Sequence, residues 1–162
     1  AAGVDVPDVS VGSTPAMSAV ESLDGVTEAR PGNYAFFDHM QCVLGSCEPV
    51  DVAVSVLTSV VSRMPHHSVV DAGALAMSKD PGPDRGAGMG PIYDEERPGR
   101  LHPSLQLASV SQEHGVVNRP LAVGTRLRVM PNHSCLTVAC FDEYHVVRGG
   151  TVVDRWKIWR SR

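Results

Sequence analysis

Lysine is nearly missing from this chain. Lys79 and Lys157 are the only two in 162 residues, and 14 Lys and Arg stand against 18 Asp and Glu, a formal charge of −4. That balance offers no polybasic field to a phosphate backbone or an anionic lipid surface, so neither a nucleic acid nor a membrane is expected as a partner. No apolar run reaches the roughly eighteen residues that a membrane-crossing helix requires. The N-terminal residues also lack the basic and apolar regions of a secretory signal. Four cysteines, Cys42, Cys47, Cys135 and Cys140, are too few for a dense disulfide framework, which a chain of this length does not need. Reduced thiols and a cytoplasmic location are expected.

Hydrophobic residues make up 43% and charged residues 20%, with 15 Gly and 12 Pro. Such a mixture suits a loop-rich β or α+β protein of one domain, or one domain and a piece of another. Val4 to Val11 alternates and stops at Gly12-Ser13-Thr14-Pro15, after which Ala16 to Leu23 has the character of a short helix. A small hydroxyl-bearing turn between strand and helix presents backbone N–H groups to an anion such as a phosphate. The same residues also suit an ordinary cap by Ser13 or Thr14 with Pro15 in the first turn. Val26 to Ala29 is a second strand, followed by Arg30-Pro31-Gly32-Asn33-Tyr34 and Ala35-Phe36-Phe37. Two βα-like units in forty residues suggest the end of an α/β domain, with a boundary near residue 46.

Beyond that boundary the period changes. Asp51 to Arg63, Ser68 to Ala72, Leu105 to Val110 and Gly124 to Met130 have strand character, mostly with apolar residues at alternate positions. Tyr144 to Arg148 and Thr151 to Trp156 flank Gly149-Gly150 as a hairpin does. Between them, Lys79 to Gly99 is a Pro- and Gly-crowded loop, long enough to be either functional or mobile. Residues 46–162 are therefore expected to be mainly antiparallel β, a sandwich or barrel.

One short motif carries metal chemistry. In Pro131-Asn132-His133-Ser134-Cys135-Leu136-Thr137, an imidazole and a thiol stand two residues apart behind a strand-ending proline. In a non-helical segment such residues project to one side, and zinc accepts both donors. The spacing alone is weak.

Taken in chain order, Gly12-Ser13-Thr14-Pro15 with Arg30-Pro31-Gly32-Asn33-Tyr34, then Ser111-Gln112-Glu113-His114-Gly115, then the His133–Cys135 motif running into Tyr144-His145 form one pattern. Together they resemble the C-terminal part of the D-serine dehydratase and D-threonine aldolase family of pyridoxal phosphate enzymes, over essentially the whole chain. The resemblance implies an incomplete alanine-racemase-like (β/α)8 barrel over residues 1–45 and a metal-binding β domain over residues 46–162. A whole barrel needs about 250 residues, so the chain is expected to be a portion of a longer protein. The lysine that forms the Schiff base would lie upstream of it; Lys79 and Lys157 read as surface residues, and the chain alone is expected to be inactive.

The resemblance also implies roles. Gly12, Ser13 and Thr14 would receive the cofactor phosphate and Tyr34 would lie near them, although a core tyrosine is an equal alternative. His133 and Cys135 would be the two protein ligands of a divalent metal. Members that dehydrate D-serine or related D-3-hydroxy amino acids resemble this chain in using His-x-Cys, and the aldolases use His-x-Asp. A thiolate favours zinc over manganese. The implied activity is a zinc-dependent lyase giving a 2-oxo acid and ammonia, with retro-aldol cleavage or a non-catalytic metal-binding module as alternatives, and a homodimer as the assembly. Glu113 and His114 are candidates to support the metal-bound imidazole, or a strand-end pair facing solvent. Asp38 and Gln41 are candidates for an interdomain contact. His66 and His67 read as surface residues, and Cys42, Cys47 and Cys140 as small buried hydrophobes. Asp71 has no assigned role, because Ala74-Leu75-Ala76 departs from the basic residue expected beside it.

Overall fold

Alternating burial along Val56–Arg63 decides which way the chain curls. In this strand Val56, Thr58 and Val60 are buried while Leu57 is 65% exposed, so one face must be covered. In the computed structural model, which describes residue 3, residues 5–82 and residues 88–159, the cover is a closed barrel. Its strands are β3 (Val56–Arg63), β4 (Ser68–Val70), β5 (Gly90–Tyr93), β6 (Leu101–Val110), β7 (Gly115–Val117) and β8 (Arg126–Val129). They close in the order β3-β4-β7-β6-β5-β8, every neighbouring pair antiparallel. Val60, Val70, Ile92, Leu107, Val117 and Val129 fill the interior and are 0 or 1% exposed. Closure leaves no edge strand open to pairing with another chain. The expected mainly β, barrel-like architecture is the one found.

Ahead of the barrel, β1 (Ser10–Gly12), α1 (Thr14–Ala19) and β2 (Glu28–Arg30) form a parallel βαβ unit, with Val11 opposite Ala29. Then α2 (His39–Val43) and a 3-10 turn (Pro49–Asp51) lead into β3, while α3 (Ala74–Met77) and α4 (Ser134–Val138) interrupt the barrel's connections. After α4, β9 (Glu143–Arg148) and β10 (Thr151–Lys157) make a separate hairpin whose Gly149 and Gly150 both have positive φ, as the sequence leads one to expect. No helix among the described residues is long and apolar enough to cross a membrane.

Several expectations are corrected. The first strand is three residues rather than eight; Val4 lies outside the described residues, and residues 5–9 are not in strand form. The first helix begins at Thr14 and stops at Ala19, before Leu23. The strand expected from Asp51 begins at Val56, because Pro49 starts a helical turn that Asp51 closes by accepting the Glu48 N–H at 2.9 Å. Ser68–Val70 stops two residues short of Ala72, and Leu101–Val110 starts four residues before Leu105. The largest miss is β5. It lies inside the stretch read as loop, because Pro and Gly on both sides hide four residues whose partners are far along the chain: Gly90 pairs Leu107, and Ile92 pairs Val129.

Gly73 explains what Glu113 and His114 do in the fold. A Cβ at Gly73 would stand 2.3 Å from the Glu113 carbonyl carbon and 2.4 Å from the His114 nitrogen. The turn between β6 and β7 thus rests on the backbone before α3, and Ala74 donates its N–H to the Ser111 carbonyl at 2.8 Å. Asp71, left without a role above, accepts the Thr58 hydroxyl at 2.6 Å and the Ser59 N–H at 2.9 Å, tying the end of β4 to β3. Burial pushes the Asp71 carboxyl up, and those two hydrogen bonds outweigh it and hold it below the usual range.

Because Leu107 is fully buried, Leu107→Ala should lower stability by about 2–5 kcal/mol in urea unfolding, by lost transfer energy and a cavity. Leu57→Ala, on the outer face, should stay within about 0.5 kcal/mol. Equal losses at the two positions would contradict the inward face assigned to the barrel.

Candidate metal and cofactor site

The His133–Cys135 motif is held from behind by a buried carboxylate. β8 ends at Val129, and Met130 donates its N–H to the Pro91 carbonyl at 2.9 Å, so the chain leaves the barrel beside β5. His39 and Met40, at the start of α2, donate their N–H groups to the carbonyls of Pro131 (3.0 Å) and Asn132 (3.3 Å). Asp38, only 1% exposed, caps α2 by accepting the Gln41 N–H through Oδ1 at 3.0 Å. Its Oδ2 accepts the Ser134 N–H at 2.9 Å and the side-chain amide of Asn33. Ser134 donates its hydroxyl to Asn33 Oδ1 at 2.6 Å, and Asn33 donates its backbone N–H to Thr14 Oγ1 at 2.9 Å. A continuous path, Thr14–Asn33–Asp38–Ser134, therefore joins the Gly12–Thr14 turn to the His133–Cys135 motif.

The local conformation of that motif differs from the expected one. His133 is extended, at φ −136° and ψ 111°, but it caps α4, and Cys135 lies in the first turn of that helix. The two side chains are thus not successive same-side residues of a strand. Burial of Ser134 and Thr137 against Asp38 and the Met77 carbonyl faces the helix inward on that side. Cys135 is left exposed and His133 half-buried. The His133 imidazole is engaged on one nitrogen: Nδ1 lies 2.8 Å from Asp80 Oδ2. Tyr144, at the root of the β9–β10 hairpin, stacks on Phe36 with ring centroids 5.2 Å apart. Its phenol is pushed up, mainly by burial and secondarily by its electrostatic interaction with Cys135.

Other residues singled out from the sequence fall as follows. Glu113 and His114 are exposed on the β6–β7 turn, and the carboxylate beside His133 belongs to Asp80. Gly12 and Ser13 are exposed; Ser13 has φ 86° and accepts the Ala16 N–H at 3.3 Å. Thr14 is buried, and its hydroxyl faces Asn33. Tyr34 is 61% exposed and is not a core tyrosine. Lys79 and Lys157 are exposed, and Lys157 stands over the Trp159 ring at 4.3 Å. His66 is exposed and His67 half-buried. Gln41 is buried with its Oε1 unpartnered among the described residues. Cys42 and Cys47 lie with their sulfurs 3.6 Å apart, and burial, then the hydrogen bond with Cys47, push the Cys42 thiol up to about 12. Asp80 was missed because it sits within the loop-like stretch, 53 residues from His133, where no local pattern marks it.

Among the described residues no three His, Cys, Asp or Glu side chains gather as a metal cluster. The model of a serine dehydratase domain family matches residues 53–147. The chain belongs to that family. It is 40% identical to D-threo-3-hydroxyaspartate dehydratase of Delftia sp. over 97% of this chain and 45% of that protein. Against D-serine dehydratase of Dictyostelium discoideum the identity is 37%, over 90% of this chain and 40% of that one. The chain thus spans less than half the length of these two relatives. An uncharacterized protein of Mycobacterium bovis is 39% identical over 75% of this chain and 92% of its own length.

Solved structures extend the likeness to a dehydratase and an aldolase. The Delftia dehydratase superposes with a TM-score of 0.84, covering 96% of this chain and 45% of that one at 40% identity. Structures of that dehydratase also exist for a histidine-to-alanine variant and for a cysteine-to-alanine variant in the metal-free form, the two substituted positions two residues apart. D-threonine aldolase of Filomicrobium marinum superposes with a TM-score of 0.72 at 28% identity, over 96% of this chain and 41% of its own.

Asp38→Ala should strand the Ser134 and Gln41 N–H groups and the Asn33 amide, costing on the order of 3 kcal/mol in denaturant unfolding. A loss no greater than that of a surface substitution would show that the carboxylate is not the anchor. The thiolate is the nucleophile in alkylation, so exposed Cys135 should react with iodoacetamide first at pH 8. Cys42 should react appreciably only as pH rises toward 12, its pushed-up value, as read by mass spectrometry of labelled peptides.

Proposed function

We propose that this chain is the C-terminal portion of a pyridoxal phosphate- and zinc-dependent dehydratase of D-3-hydroxy amino acids of the D-serine type. In this reading His133 and Cys135 are the zinc ligands. Gly12, Ser13 and Thr14, with Tyr34 nearby, form the phosphate end of the cofactor site, and the full-length protein works as a cytoplasmic homodimer. The observation that carries the reading is the pairing of an imidazole already engaged at Nδ1 with an exposed thiol two residues on, on a loop locked by Asp38. A nitrogen and sulfur donor set suits zinc, and two protein ligands leave positions for water or substrate. Likeness to the Delftia dehydratase, and the histidine and cysteine variants of it that were made two positions apart, support the choice of residues.

When bound, pyridoxal phosphate supplies an electron sink that makes the substrate Cα–H acidic, and zinc supplies a Lewis acid for the β-hydroxyl. The residues of this chain hold and shape the site. Gly12 and Ser13 are exposed at the start of α1 and present backbone to an anion, and Gly12 runs so close to β2 that a Cβ there would stand 3.1 Å from the Arg30 carbonyl oxygen. Thr14 is the inward anchor of that turn, through Asn33. Tyr144, stacked on Phe36, stands near Cys135 at the root of the β9–β10 hairpin. The Schiff-base lysine would come from the rest of the protein; Lys79 and Lys157, the two lysines of this chain, are both exposed. A non-catalytic metal-binding module is the second reading, favoured by the M. bovis relative, 92% of which is matched by this chain.

Full-length protein loaded with cofactor and zinc should convert D-serine or D-threo-3-hydroxyaspartate to a 2-oxo acid and ammonia. Glycine and an aldehyde as main products would replace dehydration by retro-aldol cleavage, and no turnover of any D-3-hydroxy amino acid would favour the module. Zinc should protect Cys135 from alkylation, and His133→Ala should abolish that protection.

A further inference from the structure

We infer that Asp80 is a positioning residue for the metal, fixing the tautomer and orientation of His133. This rests on His133 being a zinc ligand. An ionised carboxylate can only accept hydrogen bonds, so at 2.8 Å from Asp80 Oδ2 the Nδ1 of His133 must carry the proton. The lone pair of the neutral ring is then on Nε2, the nitrogen left available to a metal. Without such a partner an imidazole divides between two tautomers and rotates about its side-chain bonds, and each loss of definition weakens the site.

The surrounding bonds show that Asp80 is delivered to this place rather than left near it. α3 ends at Met77, whose carbonyl accepts the buried Thr137 hydroxyl of α4 at 2.9 Å. Ser78 then turns the chain at φ 63°, and its hydroxyl oxygen accepts the Asp80 N–H at 3.2 Å. Asn132, the residue before His133 and 2% exposed, donates its side-chain amide to the Asp80 carbonyl at 3.3 Å and to the Gly88 carbonyl at 3.0 Å. The other end of that amide lies 3.1 Å from His39 Nδ1. Asp80 is thus held by backbone bonds at both its N–H and its C=O, the latter through the neighbour of the residue it orients. A casual surface ion pair has no such frame and contributes little. The side chains of His133 and Asp80 are 35% and 23% exposed, so the pair is sheltered without being closed off from solvent.

The test uses the full-length protein and Zn2+ in competition with a chelator. Asp80→Ala should weaken zinc binding by about 10- to 100-fold, as loss of such a partner does elsewhere. Asp80→Asn, which keeps the shape but not the charge, should also weaken it and guards against a folding defect in the alanine variant. Asp80→Glu should restore part of the affinity. In 15N-histidine NMR of the zinc-free protein, the His133 ring should be the Nδ1–H tautomer, turning into a mixture in Asp80→Ala. His133→Ala is the reference and should lose the zinc. If His133→Ala loses zinc while both the alanine and asparagine variants at 80 bind it as tightly as the unmodified protein, the role of Asp80 is overturned. If His133→Ala retains stoichiometric zinc, the ligand assignment fails, and the role of Asp80 with it.

Discussion

A carboxylate that is 1% exposed is costly to bury unless its oxygens meet donors, and both oxygens of Asp38 do, with the Gln41 N–H on Oδ1 and the Ser134 N–H and Asn33 amide on Oδ2. Each of those donors belongs to a different piece of the structure. Gln41 lies in α2, Asn33 in the connection after β2, and Ser134 between the two candidate ligands. Removing the charge would leave several polar groups stranded together, so the three pieces are ordered jointly. The candidate cofactor turn enters the same system through Thr14.

The barrel gives that system something rigid to stand on. Because β3 to β8 close on themselves, the ends of β5 and β8 are fixed relative to each other, and Met130 and Pro91 are joined by a backbone bond where the His133–Cys135 motif departs. Asn132 then draws in the backbone at Asp80 and Gly88. The motif is therefore fastened on two sides, by Asp38 toward the N-terminal βαβ unit and by Asn132 toward the stretch after α3. The exposed faces of His133 and Cys135 point to what is left open. The β9–β10 hairpin forms a sheet separate from the barrel, with Val147, Val152, Val153 and Trp156 exposed, and near its root Tyr144 stacks on Phe36.

Much of the barrel was legible from residue order because alternation is a local property. β3, β6 and β8 each announce their inward face by residues two apart, and Gly149-Gly150 announces the turn of the final hairpin. β5 was not legible, since a four-residue strand bounded by Pro and Gly exists only because β6 and β8 supply its hydrogen bonds. The short helices α2, α3 and α4 escaped for a similar reason. At four or five residues none is stable by propensity alone, and each is held by bonds to distant segments.

The site divides in the same way. Which donors could hold a metal, His133 and Cys135, is a matter of residue type and spacing, and the chain states it in three consecutive letters. Which side of each residue faces outward was decided by tertiary structure, because α4 begins between them and its inward face is set by Asp38 and Met77, 96 and 60 residues away from their partners. The carboxylate at the imidazole is Asp80 rather than Glu113 for the same reason: its distance from His133 along the chain is 53 residues, and only the folding of α3 against α4 makes it 2.8 Å. Side-chain chemistry is local and can be read from order; hydrogen-bond partnership in a β-rich chain is mostly non-local, and only closure of the barrel determines it.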